Sequence, residues 1–264
     1  MEHETTLRLT VFFGLFAVLA LAEVASPRRR RTWGRWQRWF TNWSISLSNA
    51  VLTGVMKAGL GAAAVLAAAD ASASGIGLFH AIDAPGWLEG LIVFVILDFA
   101  IWLQHVLSHR VPVLWRLHRV HHADPDMDVS TAIRFHPIEI GLSMLLKIAL
   151  VYALGAPVLA VILFEVVLNG AAMFNHTNVR IPAAVEQRLR LAIVTPDMHR
   201  VHHSTDPAEQ IANFGFNLSV WDRIFGTYRA APRLGHDDMR LGLSAERGPE
   251  PTGLLWSLMF PFRR

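Results

Sequence analysis

Cysteine is absent from this 264-residue chain. A disulfide framework, a thiolate zinc site and a cysteine-ligated iron–sulfur cluster are therefore excluded, and any metal must be held through nitrogen or oxygen. Charge is also scarce. Asp, Glu, Lys and Arg make up 17% of the residues against 53% hydrophobic, and mean hydropathy is +0.35. That balance is too apolar for an ordinary soluble domain and indicates an integral-membrane chain. The pI is about 9.9, yet the net charge is only +3 and the arginines stand in short runs beside apolar segments. They read as determinants of membrane topology, with no nucleic-acid partner. The chain also lacks a Gly-x-Gly-x-x-Gly dinucleotide fingerprint, a His-Glu-x-x-His motif and any low-complexity run.

What is present begins with four apolar blocks: residues 9–25, 45–69, 87–107 and 141–170. A crossing needs about 20 apolar residues, so the first three each predict one span. The first block is preceded by Glu2 and Glu4 and followed by Arg28, Arg29, Arg30 and Arg31, the pattern of a retained helix rather than a cleaved signal. Residues 26–44 carry six arginines, whereas residues 70–86 carry no Lys or Arg, only Asp70 and Asp83. The positive-inside rule then places 26–44 in the cytoplasm and 70–86 outside. The fourth block is interrupted at Gly155, Ala156 and Pro157, which allows one long helix or a hairpin with arms of about 14 residues, each short of a full crossing. Trp33, Trp36, Trp39 and Trp43, interleaved with Arg35 and Arg38, predict an aromatic anchor lying at headgroup level. From residue 175 the chain turns polar and predicts a cytoplasmic helical cap, and the apolar tail 254–262 is expected to dip into the interface. The boundaries that follow are an N-terminal membrane region 1–86, a core 87–228 and a tail 229–264.

Thirteen histidines stand out against this background. His105 and His109 are four apart at the end of the third block. His118, His121 and His122 form HxxHH, and His199, His202 and His203 repeat it. On a helix, positions i, i+3 and i+4 share a face, so each triplet aims three imidazoles one way. Neutral imidazole is a ligand for zinc, iron, copper and nickel. Eight donors exceed what one ion accepts, which predicts two ions. The three clusters must meet on one side of the membrane, so the fourth block must return as a hairpin. Asp98 lies on the helical stripe of Trp102, His105 and His109, and an acid inside a span is a candidate for function by default. It is expected to fix a ligand tautomer by accepting a ring N–H, or to make a helix-packing hydrogen bond. Glu165 and Asn169 invite the same reading. Asp124 is expected to orient ligands or stay solvated, and Asp126 and Asp128 to be solvated. His3, His80 and His236 are isolated.

The pattern His105-xxx-His109, His118-xx-His121-His122, His199-xx-His202-His203 resembles the fatty acid hydroxylase/sterol desaturase superfamily. Supporting pieces are the segment from Arg134 through Phe135, His136, Pro137 and Ile138 to Glu139, the run Asn175-His176-Thr177-Asn178, and residues 221–228 from Trp221 to Tyr228. The resemblance covers residues 87–228. It implies an all-α integral-membrane bundle, three spans plus the hairpin, whose cytoplasmic cap carries a di-iron site on the eight box histidines. It adds His176 as a ninth ligand, with Arg180 standing where some relatives place a partner. His136 matches a family motif and is expected to act behind the ligands or in placing substrate, a candidate catalytic role shared with Asp98.

The resemblance further implies a dioxygen-dependent oxidoreductase acting on a lipid-like substrate such as a sterol or fatty acyl chain. Hydroxylation is favoured over desaturation, which begins with the same hydrogen abstraction. Two iron ions are the expected cofactor, with zinc a possible substitute after purification because later divalent metals bind nitrogen sites more tightly. Electrons must come from a separate donor protein, for which Arg188, Arg190, Arg200, Arg223 and Arg229 offer a basic docking surface. Two rivals use the same histidines. A metal transporter would spread them along a path near the bilayer midplane, and a zinc hydrolase would want a nearby glutamate base.

Overall fold

Long apolar stretches without internal proline form helices, and the prolines that interrupt the chain mark where helices begin. The computed structural model describes residues 2–60, 64–82 and 84–263; the expectations for Asp83 and the side chain of His3 lie outside the described residues. Regular structure among those residues is helical, accompanied by isolated β-bridges. In chain order the principal helices are α1 (Glu2–Ala25), α2 (Arg35–Leu60), α3 (Ala64–Ser74), α4 (Gly86–Arg110), α5 (Pro112–His122), α6 (Pro137–Leu154), α7 (Val158–His176), α8 (Ala183–Leu189) and α9 (Pro196–His202). Pro112, Pro137 and Pro196 each occupy the first helical turn, where a missing N–H costs nothing.

Among the described residues, four helices are long and apolar enough to cross a membrane: Thr6–Ala25, Gly86–Arg110, Pro137–Leu154 and Val158–His176. The fourth apolar block is a hairpin, as the histidines require, but its arms are 18 and 19 residues rather than about 14. The helices simply continue beyond the apolar limits, through Glu139 at one end and Asn175 at the other. Gly155 makes the turn at φ 64°, the left-handed cap that glycine adopts without strain. Gly77 packs so closely here that a Cβ on it would lie 2.0 Å from Gly155 N. Residues 61–63 of the second block lie outside the described residues. On either side α2 runs to Leu60 and α3 starts at Ala64, and neither is among the four candidate spans found among the described residues.

From Arg35 onward the tryptophan segment is the start of α2. Arg38 on this helix is fully buried. Its Nε donates to Asp124 Oδ1 at 2.5 Å, Nη2 to Asp124 Oδ2 at 2.8 Å and Nη1 to Asp128 Oδ2 at 2.8 Å. Arg31 donates to the buried Glu23 at 2.9 Å, and Arg29 donates to the carbonyls of His236 and Met239. Much of the basic run therefore ties elements together. Asp126 and Asp128 are buried, not solvated: Asp126 accepts from the backbone N–H groups of Thr32 and Trp33.

Small residues of α3 (Ala64, Ala67, Ala68) bring that helix against α6 and α7, and with Val93, Leu97 and Ile101 of α4 they form the main apolar core. A second cluster joins Phe16 of α1 to Ala172 and Met173 of α7, with Trp39 and Trp43 of α2 packed on it. The first cluster packs α4 against α7, and the second packs α1 and α2 on α7.

Candidate metal centre

Four helices deliver the histidines, the last with the residue that follows it. α4 ends at Arg110, Val111 is extended because a proline follows it, and α5 starts at Pro112. That bend folds the HxxHH face of α5 back against His105 and His109. His176 is the last residue of α7. Thr195 caps α9 by accepting from Met198 N, which presents His199 and His202, with His203 immediately after.

Nine histidines converge in two groups. Ring nitrogens of His105, His109, His118, His122 and His202 lie within 4.8 Å of one another, and so do those of His121, His176, His199 and His203. Each HxxHH is divided. His118 and His122 join the first group and His121 the second, while His202 joins the first and His199 and His203 the second. All nine are buried except the half-buried His109.

The hydrogen bonds fix tautomers. His105 Nδ1 faces Phe214 O at 2.7 Å, His176 Nδ1 faces Ala172 O at 2.7 Å, and His202 Nδ1 faces Ala212 O at 2.8 Å. His118 Nδ1 lies 2.6 Å from Glu139 Oε1. Carbonyl and carboxylate oxygens only accept, so each Nδ1 carries a hydrogen, and in the neutral ring Nε2 then presents a lone pair. His105 Nε2 and His118 Nε2 are nevertheless 3.0 Å apart, and His202 Nε2 is buried without a hydrogen-bond partner among the described residues. Lone pairs at that distance repel, and a cation that both rings bind converts the repulsion into two bonds. The donor set, all nitrogen and neutral, fits a borderline metal such as iron or zinc. Burial, reinforced by neighbouring imidazoles, holds His121, His122, His199, His202 and His203 well below the ordinary histidine pKa, leaving their lone pairs free at neutral pH.

Behind the ligand face, Glu139 and Asp222 are the residues that sequence reasoning passed over. Both lie in segments quoted for the resemblance, but nothing in their spacing marks a contact with a histidine. Asp222 is buried and accepts from Phe214 N, Gly215 N, Trp102 Nε1 and Thr227 Oγ1 at 2.7–3.1 Å. It thereby places the loop whose Phe214 carbonyl orients His105.

Other expectations are redirected. Asp98 accepts from Trp221 Nε1 at 2.8 Å, the packing alternative. His136 joins neither group. It caps α6 by accepting from Ile138 N and pairs through Nε2 with Leu258 O, anchoring the C-terminal tail. Its position between Phe135 and Pro137, at a helix start, accounts for that role. Glu165 pairs with Lys147 at 2.9 Å and Arg8 at 2.5 Å. The basic docking surface is incomplete, since Arg200 is buried against Asp197 and Arg190 is engaged by Glu186 and Tyr228. His80 is exposed beside the hairpin turn, and His236 faces Asp197.

A cavity of about 260 Å³ opens at His105 and His118 and runs between α2, α4, α6 and α7. Ile101, Phe135, Ile140 and Phe216 line it together with Gln104 and Lys147.

The family profile for fatty acid hydroxylases matches residues 90–227, the span that holds both histidine groups and the Asp222 loop. Ornithine lipid hydroxylase OlsE of Rhizobium tropici is 30% identical across 96% of this chain and 75% of its own length. Human alkylglycerol monooxygenase is 32% identical, over 52% of this chain and 30% of its own length. Human cholesterol 25-hydroxylase is 25% identical, over 53% of the chain and 51% of its own length. No solved structure matches. With more than half of its length under one family profile, and the divided histidine boxes inside that half, the chain belongs to the fatty acid hydroxylase family.

Proposed function

We propose that this chain is a membrane-bound, dioxygen-dependent hydroxylase of a lipid-like substrate, with two iron ions held by the nine histidines. The observation that carries the reading is the division of the histidines into two all-nitrogen groups beside one largely apolar cavity. His105, His109, His118, His122 and His202 would hold one ion, and His121, His176, His199 and His203 the other. When bound, the iron pair supplies the reduction of dioxygen and the removal of hydrogen from an unactivated C–H bond. The protein's own share is binding, orientation and exclusion of water. Glu139 and the carbonyls of Phe214, Ala212 and Ala172 hold four ligand rings in the metal-binding tautomer. Ile101, Phe135 and Phe216 keep the space beside His105 dry and shaped for a hydrocarbon group.

The names of the relatives, hydroxylases and monooxygenases of lipids and a sterol, support hydroxylation over desaturation. Electrons come from a separate donor protein, since the chain has neither cysteine nor a dinucleotide fingerprint. The arginine-rich residues 26–44 and the Lys- and Arg-free residues 70–86 support a site on the cytoplasmic side.

The test is purification with metal analysis, followed by oxygen uptake with a chemical reductant and mass spectrometry of cellular lipids. Two irons per chain, reductant-dependent oxygen uptake and a lipid that gains one oxygen atom are the expected results. Iron that never consumes dioxygen with any lipid present would overturn the reading.

A further inference from the structure

The C-terminal helix Leu254–Met259 and the turn Phe260–Phe262 that follows it have two unlike faces. Trp256 and Phe260 stack with ring centroids 4.0 Å apart, buried with Ile45 of α2 and Val120 and Ala123 of α5. Leu255, Met259 and Phe262, spaced by four and three, fall on another face and are 75%, 48% and 59% exposed. Hydrogen bonds fix where this tail lies. His136 Nε2 donates to Leu258 O at 3.2 Å, and His136 caps the start of α6, one of the four candidate spans. The ring of Phe262 lies 6.0 Å from that of His136. Ile138, Leu142 and Leu145 carry the exposed apolar surface on along α6. The tail therefore sits where a span ends, at the depth of lipid head groups.

The border of this apolar stripe is basic. Arg119 donates to Phe260 O at 2.7 Å and to Arg263 O at 2.8 Å, and Arg116 donates to Arg263 O at 3.2 Å. These are carbonyl bonds, and none of the three arginines has an ion-pair partner among the described residues. Glu246 acts on Arg119 from beyond ion-pair distance. By contrast, Arg38, Arg190 and Arg200 are each matched to a carboxylate. Apolar side chains bordered by uncompensated arginines suit an anionic lipid surface, where the former enter the acyl boundary and the guanidinium groups meet phosphate. We propose that the tail docks on anionic phospholipid, with Arg116 and Arg263 binding the phosphate and Leu255, Met259 and Phe262 inserted beside it. α5, which carries His118, His121 and His122, is then held along the membrane surface. The proposal rests on the reading of the chain as a membrane enzyme with its metal centre on the cytoplasmic side.

The absence of cysteine allows a spin label at one introduced position at a time. The full chain, in nanodiscs of phosphatidylglycerol and phosphatidylcholine, is labelled at Leu255→Cys, Met259→Cys or Phe262→Cys. Leu145→Cys in α6 and Glu250→Cys ahead of the tail serve as references. Collision with oxygen, which concentrates in the bilayer, is compared with collision with a water-soluble nickel chelate. The tail labels are expected to favour oxygen at a shallower depth than the Leu145 position, and the Glu250 position to favour nickel. Tail labels that favour nickel, or that a protein contact shields from both reagents, overturn the proposal while a lipid-immersed Leu145 position leaves the membrane reading standing. A Leu145 position that favours nickel overturns both. A second measurement needs no label: protein in neutral detergent is titrated with phosphatidylglycerol or phosphatidylcholine of identical tails and followed by native mass spectrometry. The anionic lipid is expected to bind about tenfold or more tighter, and Arg116→Gln and Arg263→Gln each to reduce that preference about fivefold. Equal affinity in the wild-type protein, or a preference that survives both substitutions, overturns the proposal whatever the labels report.

Discussion

His105 and His118 bring their Nε2 atoms to 3.0 Å of each other, and both have already committed their Nδ1 hydrogens, to Phe214 O and to Glu139. Lone pairs this close in a buried site repel, and a cation bound by both rings relieves the repulsion. Removal of metal by a chelator should therefore lower the thermal unfolding midpoint, and ferrous iron should restore it. Binding energy of a metal that the unfolded chain does not hold adds directly to folding stability. An unchanged midpoint would show that the rings do not hold an ion.

The division of the boxes predicts which ion each histidine controls. His202→Ala, from the first group, and His176→Ala, from the second, should each leave roughly one ion per chain instead of two. Oxygen uptake should fall at least about a hundredfold in both, because ligand loss removes the site rather than tuning it. Metal analysis against protein concentration reads the first effect, and an oxygen electrode the second.

Glu139→Gln keeps the shape of the side chain but removes the charge that faces His118 Nδ1. The His118 ring becomes a weaker and less well-oriented ligand, so iron affinity should drop about tenfold to a hundredfold. Competition with a chelator of known affinity measures this. Wild-type iron retention in the variant would assign Glu139 a purely structural role.

Arg38→Met should destabilise the fold without touching a ligand. Asp124 would be left buried without its ion-pair partner and Asp128 with only the more distant Arg31, a loss of about 3–5 kcal/mol for a broken buried pair. In the intact protein the Arg38 guanidinium keeps Asp124 ionised against the effect of burial. The expected result is a large drop in unfolding midpoint, with metal content per folded molecule preserved. Double replacement of Arg38 and Asp124 by apolar residues should recover part of the loss.

Acid should destabilise the metal-free protein from the histidine side. His121, His122, His199, His202 and His203 stay neutral in the folded chain, while in the unfolded chain they titrate near 6.5. Below that pH the unfolded state binds more protons, so stability falls as pH drops from about 6.5 toward the lower folded values and is unaffected by these groups above it. Denaturant titrations at a series of pH values check the slope. A flat profile between neutral pH and 5 would contradict the burial of these rings.

Legibility differed sharply between parts of this chain. The hairpin followed from the need for three histidine clusters to share one side, and the turn at Gly155 and Pro157 was visible as a break in an apolar run. The start of α2 was less legible, because hydropathy is blind to the burial of Arg38. Asp98 misled for a related reason. Its place on the stripe of His105 and His109 was read correctly, but which partner it meets depends on Trp221, 123 residues away in sequence. Charge on Asp126 and Asp128 suggested solvent, and only the arrival of α2 and the Thr32–Trp33 backbone buries them.

The histidines themselves show where the line falls. Their spacing alone dictates three imidazoles on one helical face and a donor set rich enough for two ions, because helix periodicity is a local property. Spacing cannot say that His118 and His122 belong with His202 while His121 belongs with His176. Neighbours in one box sit on opposite sides of a seam that exists only when α4, α5, α7 and α9 are packed together. The same holds for Glu139 and for the carbonyl of Phe214. Their hydrogen bonds select a tautomer, and that selection is made by contacts between segments that are distant in the chain.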